Sequence, residues 1–192
     1  MSRGARAALI LTAILLFLCC VGGLGLTLLG TRLIGRVFIT NPDRVRAVGQ
    51  QIADYDVPAD YEEMLAMNVM GIKMVAIGST TPSPSFMMIV LMQFPRGLGV
   101  TQEEMERQIE QAMARQGGLG DADMTIVWQE ETTIKGEPVT LTVREGTTGG
   151  GEHLRQMSGL FPGKGGPAMV MVIGETAVWD QPAVDLFIAS IR

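Results

Sequence analysis

Aromatic residues are scarce in this 192-residue chain: two Trp, two Tyr and six Phe, 5% of the total. Histidine occurs once, at position 153, and the only cysteines stand side by side at 19 and 20. Both lie in an apolar run, so nothing after residue 20 can form a disulfide, and the redox compartment is not legible from cysteine pairing. A histidine-dependent nucleophilic device has only His153 to use, beside Glu152, and no nucleophile partner for it stands out. Charge is sparse as well, at 18%, and unevenly signed. The first forty residues carry four arginines and no acid; the rest carries 11 basic and 20 acidic side chains, a net charge of −9. Such a domain is a poor nucleic-acid binder, because neutralising phosphate needs clustered Lys and Arg.

What fills the chain instead is apolar: 47% hydrophobic residues, with 14 Met and 24 Gly. AALILTAILLFLCCVGGLGLTLL, residues 7–29, runs 23 residues without a charge. As a helix rising about 1.5 Å per residue it reaches the roughly 30 Å of a hydrocarbon core. It continues past Gly25 and meets Arg32 without the small-x-small site that ends a cleaved signal peptide. The expected organisation is a tail over 1–6, a transmembrane anchor over 7–30, a juxtamembrane stalk and helix over 31–57, and a soluble domain over 58–192. A lipidated cysteine is disfavoured by the bulky Leu16-Phe17-Leu18 before Cys19, and both thiols read as small apolar side chains. Arginines flank the span on both sides, so the flanking-charge rule orients it weakly. The short N-terminus argues for the domain lying outside the cytoplasm, on a bacterial inner or plasma membrane.

Asn41-Pro42-Asp43 has the form of a helix start, and Val45, Val48 and Ile52 follow at helical spacing, predicting a helix over 42–53. DYDVPAD (54–60) is a turn-rich break. Two apolar stretches, 68–77 and 86–94, flank the loop STTPSPS. TQEEMERQIEQAMARQGG predicts a helix capped by Thr101, with Met105, Ile109, Ala112 and Met113 in line. Residues 124–134, 137–146 and 153–161 read as consecutive antiparallel strands, 167–175 as a buried strand, and 180–191 as a closing helix with Val184, Phe187, Ile188 and Ile191 on one face. The fold class is α+β, an α/β sandwich: a mostly antiparallel sheet of about six strands with helices on its faces.

TIKGEPVTLTV at 133–143, a late apolar strand, and VDLFIASIR at 184–192 resemble the PsbP-like and DcrB-like group of envelope and lumenal proteins. The matching positions are Gly136 and Pro138 in the strand and Ser190, Ile191 and Arg192 at the end of the helix. The similarity covers about 58–192 and departs at Pro58-Ala59-Asp60-Tyr61, where such proteins often carry an aromatic. The resemblance implies a non-enzymatic accessory domain, with no catalytic residues and no cofactor to carry over.

Enzyme motifs fail on inspection. GLFPGKGG (159–166) is one residue too tight for a phosphate loop, and Gly165 replaces the Ser or Thr that would hold magnesium. GLGLTLLG lies in the predicted span, where a dinucleotide fingerprint has no preceding strand. Asp121 and Asp123 lack the third acid and distal Glu of a calcium loop. Glu103, Glu104 and Glu106, like Glu130 and Glu131, read as helix-start and solvent-facing charge.

There remain the methionines. Thioethers select Cu(I), and Met64, Met67, Met70 and Met74 have the spacing of one helix face. On a single continuous strand Met67 would point away from the other three. Whether 61–67 is helical, as Asp60 and Glu63 at capping-box spacing permit, or extended stays open at this level. Met87, Met88, Met92, Met169 and Met171 sit in runs apolar throughout, the usage of a flexible gap-filler. The sequence therefore favours a membrane-anchored protein that acts by binding another protein. The alternative is a carrier of a small ligand or Cu(I) in a methionine-lined pocket.

Overall fold

The computed structural model describes residues 38–81, 85–96, 107 and 124–192. The anchor (7–30), the helix expected from Thr101 and the Asp121/Asp123 pair lie outside them, apart from Arg107 within that helix. Among the described residues no helix is long and apolar enough to cross a membrane. A compact unit spans Ile39–Arg192.

Among the described residues eight strands form one sheet: β1 (Phe38–Ile39), β2 (Tyr61–Val69), β3 (Ile72–Ser79), β4 (Met87–Gln93), β5 (Thr125–Ile134), β6 (Glu137–Thr147), β7 (His153–Pro162) and β8 (Pro167–Glu175). Their order is β1-β2-β3-β4-β8-β7-β6-β5, and every pairing from β2 to β5 is antiparallel. The expected six strands become eight because the short β1 precedes α1 in the chain and because the stretch 68–77 is not one strand. It holds the end of β2, a two-residue turn and β3. Met70 (φ 53°) and Gly71 (φ 85°) both take left-handed conformations, as the tightest hairpin turns require. Lys135 (φ 56°) and Gly136 (φ 80°) do the same between β5 and β6, so the glycine of the KGEP motif serves a turn. Tyr61–Val69 is extended, and Asp60 at φ 64° lacks the backbone of a helix cap.

Among the described residues two α-helices flank the strands: α1 (Pro42–Ile52) and α2 (Gln181–Ser190). Each starts on a side-chain cap: Asn41 Oδ1 accepts from Arg44 N at 3.2 Å, and Asp180 Oδ1 from Ala183 N at 3.1 Å. Val45, Val48 and Ile52 of α1, and Val184, Phe187 and Ile188 of α2 with the following Ile191, are buried as the helical spacing requires.

Residues paired across antiparallel strands share a face, so the register sorts the sheet into two sides. On the first side lie Val75, Ile77, Ile89, Leu91, Val170 and Val172, in one cluster with both helices. Branched aliphatic side chains suit a pleated surface, and each one fully buried contributes about 1.5–3 kcal/mol.

The chain is closed by a clasp. Asp54 N–H donates to the Arg192 carbonyl (3.1 Å), and Arg192 N–H donates to that of Asp54 (2.8 Å). Ser190 Oγ accepts from Asp56 N–H at 3.0 Å, and the Arg192 guanidinium pairs with the Asp56 carboxylate at 3.2 and 3.3 Å. The Ser-Ile-Arg ending thus ties α2 to the turn-rich break after α1, with Ile191 buried between the two polar partners.

Candidate functional site

The glycine-rich hairpin at 159–166 is a structural clamp. Lys164 puts Nζ 2.6 Å from Asp54 Oδ1 and 3.0 Å from the Gln50 carbonyl, while its backbone N–H donates to Ile52 O at 2.8 Å. A cation there satisfies the last carbonyls of α1 and complements the negative end of its dipole. The same ammonium holds the exposed Asp54 carboxyl below its ordinary range. Buried Gln93 fills the inside of the turn; oriented to suit its neighbours, its oxygen accepts from Gly165 and Gly166 N–H at 2.6 and 3.2 Å. Lys164 is therefore committed to α1, the reverse of a phosphate-binding lysine.

His153 opens β7, exposed, with Nδ1 3.1 Å from Thr147 Oγ1. Glu130 and Glu131 lie exposed in β5. Among the described residues no three His, Cys, Asp or Glu side chains gather as a metal site would need.

One charged cluster is partly buried. Tyr55, 3% exposed, donates a short hydrogen bond to Glu63 Oε1, which also accepts from Arg46 Nη1 at 3.2 Å. The Arg46 guanidinium stands 5.3 Å from the Tyr55 ring centroid, and Phe187 tilts against that ring at 5.5 Å. Burial first, and then the hydrogen bond and charge of Glu63, push the Tyr55 phenol far above its usual range. This ties α1 to β2 and α2 and keeps the phenol neutral.

The four methionines singled out from sequence do not act as one set. Met70 is in the β2–β3 turn, 93% exposed, and Met64 falls where a bulge shifts the register between Glu63 and Leu65. A Cβ on Gly78 would overlap the Met64 sulfur, so Met64 lies over that glycine. Met67 and Met74 are direct partners on the same face, against the expectation that Met67 points away. The hairpin turn is the reason: parity counted along a continuous strand has no meaning across it.

The register then carries the row onward. Met74 pairs with Met92, and Met92 with Met169. Four thioethers thus stand side by side on β2, β3, β4 and β8, on the face opposite the helical core, with Met88 and Met171 in neighbouring rows. Met67, Met74, Met88, Met92 and Met171 are partly exposed, and Met169 is buried with Leu160. Gln156 Nε2 donates to the Met171 sulfur at 3.3 Å. The residues missed from sequence, Met92 and Met169, belong to strands distant in the chain, and only the pairing brings them in.

A second exposed feature is β5. Among the described residues it ends the sheet, its first seven residues are all exposed, and Ile126, Val127 and Trp128 form an apolar run 46–54% exposed. A bulge between Ile126 and Trp128 interrupts its pairing with β6.

No protein-family model matches this chain, and no curated protein matches it significantly.

Proposed function

We propose that the protein is a non-catalytic, single-pass membrane-anchored envelope protein of PsbP-like or DcrB-like type, acting by protein–protein interaction as an accessory subunit of a membrane assembly. The observation that carries this reading is β5. An outermost strand presents a line of backbone N–H and C=O groups with no strand partner, and proteins normally shorten or cover such an edge. Here it is ten residues long and bears three adjacent exposed apolar side chains. That is the surface on which an extended segment of another chain adds as a further strand, main-chain hydrogen bonds giving affinity and side chains giving selectivity. Glu130 and Glu131 favour a partner segment with Lys or Arg opposite them, and the bulge limits which strands can continue the sheet.

The test uses the full chain in its membrane, with a photo-reactive residue at Val127 or, as control, at the exposed Asp185 on α2. Crosslinking to one stoichiometric partner from position 127 and not from 185, abolished by Trp128→Lys, supports the reading. Recovery of no stoichiometric partner counts against it.

A further inference from the structure

We propose that Met67, Met74 and Met92 form a three-sulfur site for a soft monovalent cation, Cu(I) being the biological one. This does not depend on the role given to β5.

The two faces of the same strands are built differently. On the helical side β3, β4 and β8 present Val75, Ile77, Ile89, Leu91, Val170 and Val172, with Met87 the single methionine among them; on the other, Met74, Met88, Met92, Met169 and Met171 alternate with Ala76, Val90 and Ile173. Packing alone does not call for this difference, because branched side chains suit strands better than unbranched Met does. What methionine adds is a polarizable sulfur on a flexible stem. Thioethers bind Cu(I) in preference to harder ions, which prefer carboxylate, carbonyl and water.

Geometry selects the three. Met67, Met74 and Met92 are direct cross-strand neighbours in one row, on strands about 4.8 Å apart, a spacing that three flexible side chains can bridge to a common point above the middle one. All three are partly exposed, leaving an ion a way in, whereas Met169, next in the row, is buried with Leu160, and Met92 packs against that pair. Lys73, the cation nearest in sequence, pairs with Asn68 and Gln93 and so belongs to the opposite face. On this side the rows beside the three sulfurs hold Leu65, Ala76, Val90, Val69 and Ile72. A monovalent ion ligated by neutral thioethers leaves only one charge in such an apolar surrounding, where a divalent ion would leave two.

The experiment uses the full chain in detergent, with Cys19→Ser and Cys20→Ser to remove competing thiolates. It is titrated anaerobically with Cu(I) against a chromogenic chelator. One equivalent bound at micromolar affinity or tighter, with a sulfur-only shell by X-ray absorption, is the expected result. Met74→Leu and Met92→Leu are volume-conserving and should each weaken binding about tenfold or more, while Met70→Leu and Met157→Leu leave it unchanged. Should the variants fold poorly, methyl-labelled methionine NMR of the unaltered row gives the answer, with Ag(I) as probe shifting the methyls of Met67, Met74 and Met92 ahead of the rest. Affinity weaker than micromolar, binding indifferent to both row variants, or shifts confined to Met64 and Met70 would each overturn the site.

Discussion

Gly49→Ala is the sharpest test of how α1 meets the sheet. Gly49 lies inside α1, where alanine should gain about 1 kcal/mol from helix propensity. The structure opposes that gain. A Cβ at this position would overlap the Tyr55 hydroxyl oxygen and stand 2.9 Å from Cζ and 3.2 Å from Cε1. The ring cannot easily retreat, because Tyr55 is buried and Phe187 stands against it. Moving the hydroxyl breaks its bond to the Glu63 carboxylate, worth about 1.5–3 kcal/mol for a charged acceptor, and overpacking costs about 1–3 kcal/mol more. After the propensity gain is subtracted, Gly49→Ala should destabilise by about 1.5–5 kcal/mol.

Denaturant unfolding of the full chain in detergent, followed by Trp fluorescence, reads this directly. A double-mutant cycle with Tyr55→Phe isolates the cause. Removing the hydroxyl relieves the worst overlap, so the alanine should cost at least about 1 kcal/mol less in the Phe background. A Gly49→Ala protein as stable as the parent, or a cost unchanged by Tyr55→Phe, would refute this account of the contact.

Two further outcomes follow from the same region. The Tyr55 phenol is held above its ordinary value of 10.0, so the folded state keeps a proton that the unfolded chain loses. Stability should be intact below pH 10 and fall by about 1.4 kcal/mol per pH unit above it, and Tyr55→Phe should flatten most of that slope, leaving a smaller part from Tyr61, also raised by burial and by Asp180. At the clasp, Ser190→Ala should cost about 1 kcal/mol through the Asp56 N–H it leaves without that acceptor, while Arg192→Ala, whose ion pair is 64–66% exposed, should move the unfolding midpoint little.

The helices were legible because their signals are local. Asn41-Pro42 and Asp180 announce starts, and the buried positions of α1 and α2 are those the 3.6-residue period selects. The strands from 125 to 175 were legible for the same reason, each bounded by glycine-rich turns. Met70-Gly71 was missed because its first residue is apolar and continues the hydrophobic pattern, although it takes the positive φ that usually marks a polar turn. One unread turn misplaced β2, undercounted the strands and put Met67 on the wrong side. The candidate site suffered most, since a row across four strands is a property of register, and register between β4 and β8 joins residues some eighty positions apart.

That distinction bears on how the two faces of the sheet should be weighed. On the helical face, Met87 and Met157 apart, the side chains have a local reason: a branched residue on a strand, opposite a helix whose apolar line is visible in the sequence. On the other face the individual methionines looked like gap-fillers, and each alone still does. Their alignment is what packing does not require. A sequence free to place aliphatic residues at 67, 74, 92 and 169, as it does at 75, 77, 91 and 170, has put sulfur at four consecutive positions of one cross-strand row before Leu160 continues it. If the row were only filler, replacing Met67, Met74 and Met92 together by leucine should cost less than about 1.5 kcal/mol per site and change nothing that the protein binds. If the sulfurs are ligands, the same triple variant keeps its fold and loses its Cu(I), and it is the second measurement, not stability, that separates the two.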